Sequence, residues 1–281
     1  MKLITLLVVA LLIYNNTTAK EAVYTGSTLA DRDVRVFLGI SLTDSIDFIR
    51  WKITLNDSRY SLNCQYGISK GGTPGFINEK KAAFSGPLLK QEKYFVLKRG
   101  NKSFYLFQVN DNILHLLDKN KEFLIGDGGY GYALNNITPS KSSQVNYPAK
   151  QYPEQPLMAF QGRTPCQELS KLLGRETTPA CNKMKWYFIL YTDPSTKKPT
   201  YFLRGGRQYK KATMTKGSWA IVQKNGRTIY ELHSDEWRNP LYLLKAGDKI
   251  LFIADDDGNL LVGDEDFSYT LYRTIDKEPS Q

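Results

Sequence analysis

Apolar and polar side chains alternate along residues 47–55: Ile49, Trp51, Ile53 and Leu55 share one face, and Arg50, Lys52 and Thr54 the other. A period of two marks a strand buried on one side. The turn-type cluster Asn56-Asp57-Ser58 follows, then a strand-like run at 59–64, so the pair reads as a hairpin. The same pattern predicts strands at 94–97, 103–109, 113–117, 123–125 and 130–134. In the second half it predicts them at 185–192, 200–203, 219–223, 228–233, 241–244, 249–254, 260–262 and 267–272. Asn225-Gly226, Ala246-Gly247-Asp248 and Asp257-Gly258-Asn259 separate the later runs, and Asn-Gly and Asp-Gly suit turns that need positive φ. Helix signals are few; the best is residues 165–174, with Thr164 as N-cap, Pro165 at the first helical position and Gly174 as a stop.

The second half repeats the first. The run from Tyr105-Leu106 to Tyr132-Ala133-Leu134 returns as Tyr242-Leu243 to Tyr269-Thr270-Leu271, at a constant offset of 137 residues. Asp111/Asp248, Ile113/Ile250, Gly126/Gly263 and Asp127/Asp264 fall on that offset, and Trp51 answers Trp186 at 135. So long a period is a whole domain repeated, not a solenoid unit. Seven or eight short strands per copy, joined by tight turns, predict an all-β protein of two tandem small antiparallel up-and-down β-barrels. A barrel of eight strands leaves no exposed edge and has room for at most one small ligand. The expected layout is a first barrel at 20–138, a Pro/Ser linker at 139–156 and a second barrel at 157–275.

Residues 1–19 read as a secretory signal peptide: Lys2, an apolar stretch at 3–14, and Thr17-Thr18-Ala19 as a cleavage site. The alternative is an N-terminal anchor left in place. No later run approaches the about 20 apolar residues that span a membrane. The expected location is exported, periplasmic or extracellular. The formal charge is +10, one unit of it from Lys2, but the basic residues are scattered as pairs such as Lys80-Lys81 and Lys197-Lys198. Without a dense basic run, nucleic acid is not an expected partner.

Export makes disulfides available. Matching Phe37-Leu38-Gly39 to Phe160-Gln161-Gly162 gives copy two extra residues before its tryptophan, between Cys166 and Cys181. A disulfide between these two would close the loop around that insertion, leaving Cys64 a lone buried thiol. The alternative leaves all three as thiols.

Three segments carry a resemblance: Phe160-Gln161-Gly162-Arg163-Thr164-Pro165-Cys166 with Cys181 to Trp186; the strand from Trp186 into Thr192-Asp193-Pro194; and Leu251 to Asp264 with Phe267 to Leu271. Together they resemble the N-terminal barrel of the NlpE family of envelope lipoproteins, linked to copper resistance, adhesion and surface-stress signalling. The resemblance implies a small lipocalin-like barrel. The family's close Cys-x-x-Cys pair is here spread to Cys166 and Cys181, and its lipoprotein cysteine is missing, so tethering is not implied.

Copper is accordingly the first chemistry to weigh. Cu(I) takes soft Cys and Met ligands, and Cys166, Cys181 and Met184 form such a set as the alternative to a disulfide. Positions 181 and 184 diverge on a regular strand, and the chain is poor in Met and His, so the disulfide is preferred and no cofactor is expected. Asp255-Asp256-Asp257-Gly258-Asn259 offers oxygens for calcium but lacks the correctly spaced terminal Glu. No nucleophile, metalloprotease or phosphate-loop motif is present, and the carboxylates common to both copies sit at turns. Trp51, Tyr132, Trp186, Trp219 and Tyr269 would line or cap the barrels, as core or around a small ligand. Trp237, on a polar loop, reads as a partner contact or a loop anchor. The expectation is an exported non-enzymatic binding or sensor protein of the cell envelope, with copper homeostasis or surface stress as the context that the resemblance implies. Its partner would be a small molecule or an envelope protein. The second reading is a carrier of a small apolar ligand inside a barrel; the third is a hydrolytic or other enzyme.

Overall fold

The structure is a computed structural model that describes residues 21–70, 75–141, 144–146, 155–205 and 213–274. The expected signal peptide and residues 147–154 of the expected linker lie outside the described residues.

The chain folds as two closed antiparallel barrels of eight strands each. The first contains β1 (Ala22–Leu29), β2 (Phe48–Leu55), β3 (Arg59–Ser69), β4 (Phe76–Gln91), β5 (Tyr94–Arg99), β6 (Lys102–Asn110), β7 (Ile113–Leu117) and β8 (Ala133–Asn136), with helix α1 (Arg32–Leu38) after β1. The second contains β9 (Leu157–Pro165), β10 (Lys183–Thr192), β11 (Pro199–Arg204), β12 (Thr215–Lys224), β13 (Arg227–His233), β14 (Leu241–Lys245), β15 (Ile250–Ala254) and β16 (Thr270–Arg273), with helix α2 (Gln167–Leu172) after β9. Each strand pairs with its neighbours in sequence, and β8 and β16 close the barrels onto β1 and β9. No helix among the described residues is long and apolar enough to cross a membrane.

The strand register corrects the sequence alignment. Trp51 lies opposite Gly26, and Trp186 opposite Gly162. Phe160-Gln161-Gly162 therefore corresponds to Tyr24-Thr25-Gly26 in β1, and Phe37-Leu38-Gly39 is the end of α1. Both copies carry a helical loop at this place, and copy two has no insertion. The glycine is kept for a reason: a Cβ at Gly26 would lie 2.8 Å from Ala133 O, and one at Gly162 the same distance from Thr270 O. Only glycine lets the first strand press against the closing strand there. Next to it, Trp51 Nε1 donates to Thr28 Oγ1 at 2.8 Å and Trp186 Nε1 to Thr164 Oγ1 at 2.9 Å. Burial of Thr164 in this bond prevents it from capping α2; the cap position is Cys166, and Pro165 ends β9.

The helical loops are held by different chemistry. In copy two, Cys166 and Cys181 are joined as a disulfide with Cα atoms 5.8 Å apart. In copy one, the Arg35 guanidinium donates to the carbonyls of Ala30, Ser41, Asp44 and Ile46. Cys64 is a buried free thiol whose pKa burial pushes up to about 12. Phe37 of α1 stacks on Phe104 at 5.0 Å, and Leu169 of α2 is fully buried, so each helix seals the same end of its barrel.

The barrels meet across a reciprocal joint. Phe107, Val109, Ile113 and Leu117 pack with Leu244, Ala246, Ile250 and Ala254 in one apolar cluster. These are four pairs of repeat equivalents, each 137 residues apart. Tyr130 stacks on its own equivalent, Phe267, with centroids 6.0 Å apart and planes 2° from parallel. Asn135 Oδ1 accepts from Gly263 N at 2.9 Å, while its equivalent Tyr272 lies against Gly126, where a Cβ would come within 2.7 Å of the ring. Residue i touching j' while j touches i' is the pattern of a two-fold interface. It explains why β7 and β15 are buried at every position, core on one face and joint on the other. Arg50 adds an ion pair to Asp266.

Candidate functional site

The copies also differ at the ends opposite the helices. In the first barrel, the β2–β3, β4–β5 and β6–β7 turns surround a cavity of about 410 Å³. That falls within the about 300–1,000 Å³ of ordinary ligand pockets. Ala22, Tyr24, Leu55, Leu88 and Phe95 line its floor. They belong to the inner face of their strands and to the first barrel's core cluster. Tyr24 is 3 % exposed, and its hydroxyl donates to Asp111 O at 2.9 Å. Burial, then the nearby Asp111 carboxylate, raises the phenol's pKa to about 12. Glu21, Asp57, Asp111 and Lys90 supply the charged part of the wall. Lys90 Nζ stands 5.6 Å over the Phe95 ring.

Registers identify the counterparts in copy two. Ala22 faces Leu55 as Met158 faces Leu190. Leu88, Leu97 and Phe104 pair in a row, as Trp219, Leu232 and Leu241 do. Copy two thus has a methionine and a tryptophan where copy one has alanine and leucine. Trp219 is 4 % exposed and donates from Nε1 to Tyr191 O at 2.9 Å. Two inward positions of copy one thus carry smaller side chains than their counterparts in copy two. Register was needed to find them, because Leu88 and Trp219 lie outside the stretch of constant offset.

The other aromatics expected at a site are core. Trp51, Tyr132, Trp186 and Tyr269 are at most 3 % exposed. Burial raises the pKa of both tyrosines, and Tyr269 donates to Glu168 Oε2 at 3.3 Å. Trp237 is 7 % exposed and stacks on Phe202 at 5.9 Å, so it anchors its loop onto the second core and is not a free surface contact. It also forms part of the wall of a shallow flank groove with Tyr201, Lys216 and His233.

The expected soft-metal set does not assemble as thiolates: Cys166 and Cys181 are bonded to each other, and Met184 packs against the second core. Asp255, Asp256 and Asp257 bring carboxylate oxygens within 4.8 Å of one another. Asp255 uses both its oxygens on Asn259, and the carbonyls of Asp256 and Asp257 accept from Lys224 and Asn225. This is a cross-tie between two turns. The shared carboxylates behave alike: Asp118 accepts from Asn120 N and Glu122 N, and Asp264 from Asp266 N and Phe267 N.

His115 is one that sequence reasoning passed over. It is fully buried at the joint of the barrels. Its Nδ1 lies 2.8 Å from Leu116 O, which can only accept, so Nδ1 carries the proton. Nε2 then accepts from the Tyr272 hydroxyl at 3.1 Å, and that oxygen accepts from Tyr132 N at 2.7 Å. Burial holds the imidazole's pKa down at about 3.

No family model matches the chain, and neither a curated protein nor a solved structure matches it. The fold defines the class: an all-β protein of two tandem closed eight-stranded antiparallel barrels.

Proposed function

We propose that this is an exported, non-catalytic binding protein, in which the first barrel takes a small molecule through its open end and the second is a filled scaffold. The observation that carries the reading is the pair of size differences, Ala22 against Met158 and Leu88 against Trp219, at equivalent inward positions. The disulfide supports an oxidising compartment. The resemblance to the NlpE family adds an envelope setting, with surface stress as the event to which ligand binding would be coupled. A role in copper homeostasis would require the Cys166–Cys181 bond to be reduced first.

The test uses N-phenyl-1-naphthylamine, an uncharged apolar fluorophore. It should bind the mature protein saturably, and Leu88→Trp, which installs the side chain of copy two, should abolish binding without lowering the melting temperature. Equal binding by a folded Leu88→Trp variant would overturn the proposal.

A further inference from the structure

We infer that the first barrel's mouth selects a small cationic amphiphile, an amine carried on an apolar or aromatic body. This rests on the reading of that mouth as a ligand site and goes beyond it to the ligand's charge. The chain as a whole is basic, with 38 Lys and Arg against 28 Asp and Glu. Among the described residues that line the mouth the balance is reversed: Glu21, Asp57 and Asp111 against Lys90. These three carboxylates and one ammonium sum to −2 (1 − 3).

Those carboxylates are largely uncommitted. Among the described residues Glu21 and Asp57 make neither an ion pair nor a hydrogen bond, and Asp111 accepts through one oxygen from Gln108 at 3.2 Å. Three acidic side chains elsewhere are engaged by cations: Asp44 by Lys80, Asp266 by Arg50 and Glu236 by Arg204. Lys90, the one cation among the described wall residues, lies over the Phe95 ring face.

Below this acidic rim the floor is apolar, with Leu55, Leu88 and Phe95 each at most 9 % exposed. A ligand that enters body first leaves its head among the carboxylates. An ammonium head is attracted there. A carboxylate head would be repelled, and a hydroxyl would gain little.

Three probes share one body and differ in the head: 2-phenylethylamine, 2-phenylethanol and phenylacetate. Each is titrated against the mature protein by calorimetry at low salt, with displacement of N-phenyl-1-naphthylamine as a second readout. The amine should bind about ten-fold tighter than the alcohol, with phenylacetate weakest. The preference should shrink with added salt, because exposed charges are screened. The double variant Glu21→Gln/Asp57→Asn should bring the amine to within about three-fold of the alcohol while the neutral fluorophore still binds. If the three probes bind alike, or phenylacetate binds best, the charge inference is overturned and the ligand site stands. If the fluorophore and all three probes fail to bind, both fall.

Discussion

Replacing His115 by phenylalanine, the residue that copy two has at position 252, should remove the share of this protein's acid sensitivity that the buried imidazole contributes. The folded imidazole is held neutral to about pH 3 by burial; in the unfolded chain it titrates near about 6.5. Between those values the unfolded state binds one more proton than the folded state. Stability owed to neutral His115 is complete above about pH 6.5 and is lost as pH falls toward about 3. Each unit of pH in that window costs about 1.4 kcal/mol, so by about pH 5 the loss through this one residue is about 2 kcal/mol. Phenylalanine takes up no proton, but it removes the imidazole acceptor of the buried Tyr272 hydroxyl, which keeps its contacts with Tyr132 N and the Thr270 side chain. That costs about 1–3 kcal/mol at any pH. Urea denaturation of the two proteins at about pH 7.5 and about pH 5 separates these effects. The variant should be the less stable at the higher pH, and the gap should narrow by about 2 kcal/mol at the lower. Parallel pH dependences would refute the neutral buried imidazole.

Gly126→Ala should destabilise by about 1–3 kcal/mol through overpacking against Tyr272, whereas Gly129→Ala, whose nearest neighbour is at 3.6 Å, should be close to silent; equal melting temperatures for the two would speak against a close-packed joint. Cys166→Ser/Cys181→Ser opens a cross-link of sequence separation 15 and should cost about 3 kcal/mol, read as a drop in melting temperature that added reductant does not deepen. Arg35→Ala should leave the second barrel's amide protection unchanged while residues 30–47 of the first exchange faster, and uniform loss across both barrels in hydrogen exchange would contradict a local tie.

Period-two alternation in β2 is legible because one face meets the core and the other carries Arg50, Lys52 and Thr54. β7 and β15 are apolar throughout, Ile113–Leu117 and Ile250–Ala254. They were found as strands, but their outward faces gave no hint of what covers them. β1 and β9 were missed: Thr25, Ser27 and Thr28 blur the alternation of β1, and β9 ends on Thr164-Pro165, which looks like a helix start until the Trp186 indole claims the threonine. The 16-residue β4 was missed because most of it is exposed and polar. Residues 123–125 and 260–262, expected as strands, make single bridges, Leu117 to Phe123 and Ala254 to Leu260. The Cys166–Cys181 pairing was expected from an insertion that does not exist, so the bond stands on the geometry of the loop and not on that premise. At the candidate site, Tyr24, Leu55 and Leu88 are ordinary core residues by sequence. Only comparison of registers between copies shows that Leu88 is small for its place.

A two-fold joint inside one chain also changes how the protein can evolve. In a dimer of identical chains, every substitution at the mouth appears twice, and any loss of packing is incurred in both subunits. With the two copies fused and their mutual face retained, Met158 and Trp219 can keep one barrel solid while Ala22 and Leu88 open the other. The joint relieves the pair of its symmetry: one half is free to specialise while the other preserves the stability of the whole.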